Sequence, residues 1–305
     1  MNAAQAEIAR VERLSTVHRT PAAGAGTMIW HEWGAPSATP LVLLHGGFGS
    51  WMHWIRNVEA LACRYRVFAA DIPGLGGSAH AADSRAPESI GGVVIDGVRA
   101  LIGDAPFHMT GFSFGGLISG QVGKQLREQV LTMTLVGASG MALPRPEINM
   151  LRRHDDMSDD ERTAALRHNL NALMLYHDAS IDELALAIQL WNDAHSRVRS
   201  RRMSLGDSLA RALPECTAKL GAVWGELDAT SVGYLELRRD LMRASHPESE
   251  ARFRVVDNAG HWVQYEAADA FNDALLALLD GTPDRLQPLC RCAAFLLQGA
   301  LVGFV

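Results

Sequence analysis

Cysteine is scarce in this sequence: Cys63, Cys216, Cys290 and Cys292 are its only four among 305 residues, and no two stand in a CxxC pair. Such usage excludes the disulfide framework of a small secreted domain and fits reduced thiols. The opening MNAAQAEIARVERLSTVHRT has neither the basic start nor the apolar core of a signal peptide, so a cytoplasmic protein is expected. Basic excess is missing too. The formal net charge is -6, and the expected partner is a small-molecule substrate rather than nucleic acid or an anionic membrane, with a homodimer left open. The closing AAFLLQGALVGFV is shorter than the roughly 20 apolar residues of a spanning helix, so residues 281–305 are read as a packed or partner-binding tail. No HExxH, paired Cys/His ligands, GxGxxG or GxxxxGK[ST] occurs, which removes the sequence support for a bound metal, nucleotide or other cofactor.

What is present is 48% hydrophobic residue content and a pattern that alternates short β-like runs with longer helical ones, without internal repeats. This predicts an α/β fold of mostly parallel strands with flanking helices. Strands are expected at Thr27 to Trp33, Leu41 to Leu44, Arg66 to Ala70, Phe107 to Gly111, Leu131 to Val136, Lys219 to Trp224 and Phe253 to Val256. Helices are expected at Trp51 to Leu61, Pro87 to Leu101, Phe114 to Glu128, Val232 to Ala244 and Ala267 to Leu279. Between them, residues 141–213 lose the β signal and contain two capping-box patterns, Ser158 to Glu161 and Ser180 to Glu183. That stretch is read as a helical cap inserted into a core made of residues 1–140 and 214–280.

A serine hydroxyl needs a base, a group to orient the base, and donors for the oxyanion before it acts as a nucleophile. Gly111-Phe112-Ser113-Phe114-Gly115 lies between an expected strand and an expected helix, which places Ser113 on a tight strand-to-helix turn. Asp228 follows the strand ending near Trp224, and a helix cap near Thr230 is its plainer role. His261 follows the strand ending near Val256, in a loop where a lone histidine is ordinarily a surface residue. The order Ser113, Asp228, His261, each after a strand, lends the three together a weight that none has alone. The oxyanion donors are expected to be the backbone N–H groups of Phe114 and of Gly47 in His45-Gly46-Gly47-Phe48-Gly49-Ser50. Asp71 to Ser78 is expected to shape the site wall. The arginines at 197, 199, 201 and 202 suit an anionic substrate, although a solvated helix face is the favoured account.

From about Thr27 to Asp280, LLHGGFGSW, ADIPGLGGS, GFSFGG, VWGELD and NAGHW resemble the recurring signatures of the α/β-hydrolase superfamily. The resemblance implies an α/β-hydrolase fold of about eight strands with a helical cap and no cofactor. WMHWIRN and GHWVQYE are similar to segments of the meta-cleavage-product hydrolases, which cut a carbon–carbon bond in 2-hydroxy-6-oxo-dienoates. By that resemblance His53, Phe112, Trp191 and Trp262 are the expected substrate-binding residues. The chain departs from that branch where Phe112 and His53 stand in place of Asn and where Leu190, not Arg, precedes Trp191. Phe112 and Phe114 beside Ser113 suggest an apolar pocket, so ester hydrolysis is the first expectation and C–C hydrolysis the second. A ligand-binding protein without turnover is the alternative from another class.

Overall fold

Strands buried on both faces read as continuous apolar runs, and PLVLL, RVFAA and VLTMTLV are of that kind. A computed structural model describes residues 2–281 except 153 and 155; the expectations for the tail beyond them, Cys290 and Cys292 included, lie outside the described residues. Eight strands form one sheet: β1 (Thr16–Pro21), β2 (Thr27–Trp33), β3 (Pro40–Leu44), β4 (Arg66–Ala70), β5 (Phe107–Phe112), β6 (Val130–Val136), β7 (Lys219–Gly225) and β8 (Phe253–Val256). Their spatial order is β1-β2-β4-β3-β5-β6-β7-β8. The β1–β2 and β2–β4 pairs are antiparallel, and every other pair is parallel. This is the α/β-hydrolase arrangement that the sequence motifs imply.

Each of the seven expected strands is present within one residue at either end. The eighth, β1, carries no apolar alternation, because TVHRTP is an edge strand with most of its residues exposed. The helices are α1 (Ala3–Arg13), α2 (Val58–Ala62), α3 (Pro87–Ile102), α4 (Phe114–Leu126), α5 (Asp159–Asn169), α6 (Glu183–Ala194), α7 (Ser200–Ser204), α8 (Ser208–Ala212), α9 (Leu235–Ser245), α10 (Val263–Glu266) and α11 (Ala268–Asp280). Three expected starts are displaced, one of them that of α9, which begins at Leu235 rather than Val232 because turns occupy residues 229–233. Trp51 to Leu61 is not one helix: a 3₁₀ turn at Trp51–Trp54 precedes α2, and the Asn57 amide donates to Gln264 O and Asn272 Oδ1 at 2.9 Å each instead of capping it. At α6 the cap is Asp182, whose Oδ1 accepts from Ala185 N at 2.8 Å, because Ser180 belongs to the preceding 3₁₀ turn. Ser158 and Glu161 do form the expected capping box.

Alternation along the strands divides the core. Val42 and Leu44 face one cluster with Phe68, Val94, Leu117 and Met133, while Leu41 and Leu43 face another with Val67, Leu61, Phe271 and Leu275. Chain direction reverses about β3: the following strand β4 lies on one side and β5 on the other, which makes their carboxyl ends the crevice where ligands of such sheets bind.

The helix that leaves β5 runs close against β3. A Cβ on Gly115 would collide with the carbonyl oxygen of Leu44 and stand 2.6 Å from that of His45, and one on Gly111 would meet the backbone of Gly115. Backbone cannot retreat as a side-chain tip can. Gly115→Ala is therefore expected to lower the unfolding free energy by about 3 kcal/mol, the upper end for overpacking, as measured by urea denaturation.

Candidate active site

Ser113 sits between β5 and α4 at φ 51 and ψ -110, a conformation that costs a non-glycine residue on the order of 1–3 kcal/mol and persists only where the surroundings impose it. They do. Ser113 N donates to Val136 O at 2.8 Å, and Ser113 O accepts from Gly116 N and Ser139 N, both at 3.1 Å. The hydroxyl is left half-buried above the carboxyl end of the sheet.

His261 Nε2 lies 3.0 Å from Ser113 Oγ, and His261 Nδ1 lies 2.8 Å from Asp228 Oδ2. Asp228 and His261 are both buried. Asp228 Oδ1 accepts from Thr230 N at 2.7 Å and from Thr230 Oγ1 at 2.8 Å. It therefore closes a short turn; the cap position of α9 belongs to Tyr234. Burial alone would raise the Asp228 carboxyl, but the charge and hydrogen bond of His261, with the two bonds from Thr230, outweigh it and hold the group below its ordinary value. The carboxylate stays ionised, and its second oxygen fixes the ring of His261.

Two loops must meet for this pairing. A Cβ on Gly225 would strike the carbonyl oxygens of Ala259 and Gly260, and Leu227 N donates to Ala259 O at 2.9 Å, so glycine lets the Asp228 loop lie directly on the His261 loop. Gly137, at φ 50, fits against both side chains: a Cβ there would stand 3.0 Å from His261 Nδ1 and 3.1 Å from Asp228 Oδ2.

The glycine loop after β3 reaches the same place. A Cβ on Gly47 would lie 3.7 Å from that of Phe114 and would clash with the hydroxyl of Ser200. Phe114 opens α4, so its N–H has no partner within the helix. His45 and His53 hold this loop from behind. His45 Nδ1–H donates to Gly46 O at 2.7 Å and its Nε2 accepts from Ile72 N at 2.9 Å; His53 Nδ1 accepts from Gly46 N at 3.2 Å. Burial pushes His45 down to about 4, against the bond to Gly46, and burial with the charges of His45 and His261 takes His53 well below its usual value. Both rings are neutral supports.

The cavity beside Ser113 has a volume of about 360 Å³ and is lined by Phe112 and His261 together with Phe48, Met150, Leu173 and Arg201, among others. Of the four expected substrate-binding residues, only Phe112 lines it. His53 is behind the glycine loop. Trp262 is fully buried, donating its indole N–H to His53 O at 2.9 Å and stacking on Tyr265. Trp191 lies on the exposed side of α6 against His195, because the neighbouring Asn192 takes the inward position and accepts from Ser50 Oγ at 2.6 Å. Phe114 does not line the cavity, since its ring is in the core, so of the two phenylalanines expected to make the pocket apolar only Phe112 faces it. Asp71, expected in a wall segment, is instead buried behind the site, where its carboxylate accepts from Trp51 N and Gly77 N at 2.8 Å each. Burial raises it to about 6, partly offset by those two bonds. Among the described residues no group of three His, Cys, Asp or Glu side chains is arranged to hold a metal. No helix of the described residues is long and apolar enough to cross a membrane.

A Ser-His-Asp chain at the carboxyl edge of a sheet of this topology defines the α/β-hydrolase class of site. The family model described as Alpha/beta hydrolase family matches residues 41–274, and the chain belongs to that family. It is 28% identical over 268 residues to a 2-hydroxy-6-oxononadienedioate/2-hydroxy-6-oxononatrienedioate hydrolase of Paraburkholderia phymatum, covering 82% of this chain and 90% of that one. It is also 28% identical over 274 residues to the dihydrolipoyllysine-residue acetyltransferase component of the acetoin cleaving system of Pseudomonas putida, covering 84% and 67%. In fold it resembles the esterase RhEst1 from Rhodococcus sp. ECU1013, with a TM-score of 0.70 at 19% identity over 88% of this chain and 99% of that one. Hydrolases thus stand among both its relatives and its structural neighbours, which supports an enzyme of the same class.

Sequence reasoning gave Glu266 no role. Its carboxylate accepts from Gly260 N at 2.6 Å, His177 N at 2.8 Å and Tyr176 N at 3.1 Å, tying the His261 loop to the segment that follows the helical turn at Leu170–Met174. A carboxylate at the end of α10 looks like an ordinary surface acid until the two loops are brought to it. Glu266→Gln keeps one acceptor and turns an amide donor toward the other N–H groups. It is expected to cost about 2–3 kcal/mol in urea unfolding, because charge-assisted bonds are lost.

Proposed function

We propose that the chain is a serine-dependent hydrolase that cleaves a carboxylic ester by two-step acyl transfer. The hydrogen-bonded run Ser113–His261–Asp228, held by a strained turn and two interlocked loops, is the observation that carries this reading. His261 Nε2 removes the proton of Ser113 Oγ as that oxygen attacks the ester carbonyl. The N–H groups of Phe114 and Gly47 donate to the oxyanion that forms, helped by the positive end of α4. His261 then returns the proton to the departing alkoxide, leaving an acyl group on Ser113. In the second step water gives a proton to His261 and attacks the acyl carbon; the proton goes back to Ser113 Oγ as the acid leaves. Asp228 orients the ring throughout and stabilises it when charged. We read residues 141–213 as the cap that bounds the pocket, and a small cytoplasmic molecule as the partner.

The relative named as a dienedioate hydrolase favours a second reading, in which the same three groups act on a dienoate and a C–C bond is cut. A non-catalytic binding role is less well supported, since binding alone needs no aligned serine, histidine and carboxylate.

A fluorophosphonate probe is expected to label the protein, with labelling abolished in Ser113→Ala; undiminished labelling there would remove Ser113 from its role. His261→Ala is expected to keep the wild-type circular dichroism and to lose ester turnover by about three powers of ten or more. Steady-state rates on p-nitrophenyl butyrate and on 2-hydroxy-6-oxo-6-phenylhexa-2,4-dienoate separate the two reactions. Faster ester turnover is expected, and rapid dienoate loss beside negligible ester turnover would reverse the order.

A further inference from the structure

The cavity that exposes Ser113 and His261 is also lined by three guanidinium groups, Arg145, Arg201 and Arg238. They are not equivalent. Arg238 is 6% exposed and bonded internally: Nη1 donates to Tyr234 O at 2.9 Å, and Nη2 donates to Thr230 O at 2.8 Å and Pro144 O at 3.3 Å. Arg145 is half-buried and has neither a hydrogen bond nor an ion pair with any described residue; Arg201, more exposed, has none either. Burial and the nearby charge of Arg201 lower the Arg145 guanidinium, and the charge of Asp228 acts the other way.

A guanidinium that loses water without gaining a partner is unfavourable, and an anion supplied from outside removes that penalty. The charges around the cavity say which kind. Three guanidiniums face two carboxylates, the buried Asp228 and the exposed Glu147, so one positive charge is left over. A single negative charge balances it, whereas a phosphate dianion would set its second charge against those carboxylates. The planar fork of arginine matches a carboxylate with two parallel bonds.

We propose that Arg145 and Arg201 form a carboxylate subsite of this pocket, so that the substrate carries one carboxylate away from the bond that is cut. The subsite is defined by the arginines; its link to the scissile bond rests on the serine reading above. It adds a charge requirement to a pocket whose phenylalanines alone suggest an apolar ligand. The arginine positions also differ from that of the cap arginine that Leu190 replaces.

Binding and turnover test it separately. Ser113→Ala protein, which cannot consume an ester, is titrated calorimetrically at low salt with monomethyl glutarate and with dimethyl glutarate. The monoanion is expected to bind at least tenfold tighter than the neutral diester. That preference is expected to vanish in Ser113→Ala/Arg145→Gln, to shrink in Ser113→Ala/Arg201→Gln, and to survive in part in Ser113→Ala/Arg145→Lys. Neither arginine is bonded to the described protein, so thermal unfolding is expected to match the parent. With Ser113 present, the ratio of kcat/KM for p-nitrophenyl hemiglutarate to that for p-nitrophenyl valerate is expected to fall at least tenfold on Arg145→Gln. A monoanion that binds no tighter than the diester, or a preference that survives Arg145→Gln, overturns the subsite. Arginine-dependent binding in a protein whose wild type turns over neither ester supports the subsite while removing the ester reading.

Discussion

The close approach of two backbones, α4 against the end of β3, is the constraint on which the site depends. Because residue 115 has no side chain, the first turn of α4 lies on the carbonyl groups of Leu44 and His45. That contact brings the loop after β3 beside the turn after β5, where Ser113 holds a positive φ. The strain is sustained by the bonds to Val136, Gly116 and Ser139 rather than by any preference of serine for this conformation. A second close approach, Gly225 on Ala259 and Gly260, does the same for the acid and the base. The three groups thus converge from three loops, each held by backbone contact, and the geometry is set before a ligand arrives.

Charge is arranged around that frame with opposite signs in front and behind. Behind the glycine loop, His45 and His53 are kept neutral by burial and serve as acceptors and donors for backbone groups. Beside them Asp71, raised to about 6, ties Trp51 to Gly77. Within the site, Asp228 is ionised despite complete burial because His261 and Thr230 compensate it. At the cavity, positive charge exceeds negative. A low-dielectric site strengthens each of these interactions, so Arg145, without a hydrogen-bond or ion-pair partner among the described residues, is a more telling feature than an exposed arginine on a helix face.

Much of this was legible in the sequence. Sheet strands buried on both faces announce themselves as apolar runs, and glycine, proline and aspartate mark their ends, which is why seven strands were located to within a residue. Edge strand β1 was not, since it shows no apolar alternation, and neither was helix α1, whose apolar stripe is only Ala4, Ile8 and Val11. Ser113, Asp228 and His261 were legible through their order and their places after strands, and they come together as that order implies. The substrate-binding residues were not. Trp191 and Trp262 are large aromatics next to the right motifs, yet one stacks outside on His195 and the other packs into the core. Arg145, by contrast, sits in a stretch with no local signal, and Glu266 closes the GHWVQYE run with nothing local to show which N–H groups it meets.

The sequence by itself determined the class of fold, the position of the serine turn and the identity of its two partners, because periodicity, glycine placement and chain order are local or nearly local properties. Tertiary structure alone decided which side chains face the cavity. That depends on how residues 140–150 and 200–205 lie over the sheet, and on Arg145 and Arg201 having no hydrogen-bond or ion-pair partner among the described residues while Arg238 is bonded to backbone. Side-chain direction in such segments follows from contacts between residues far apart in the chain, and no pattern along the chain encodes it.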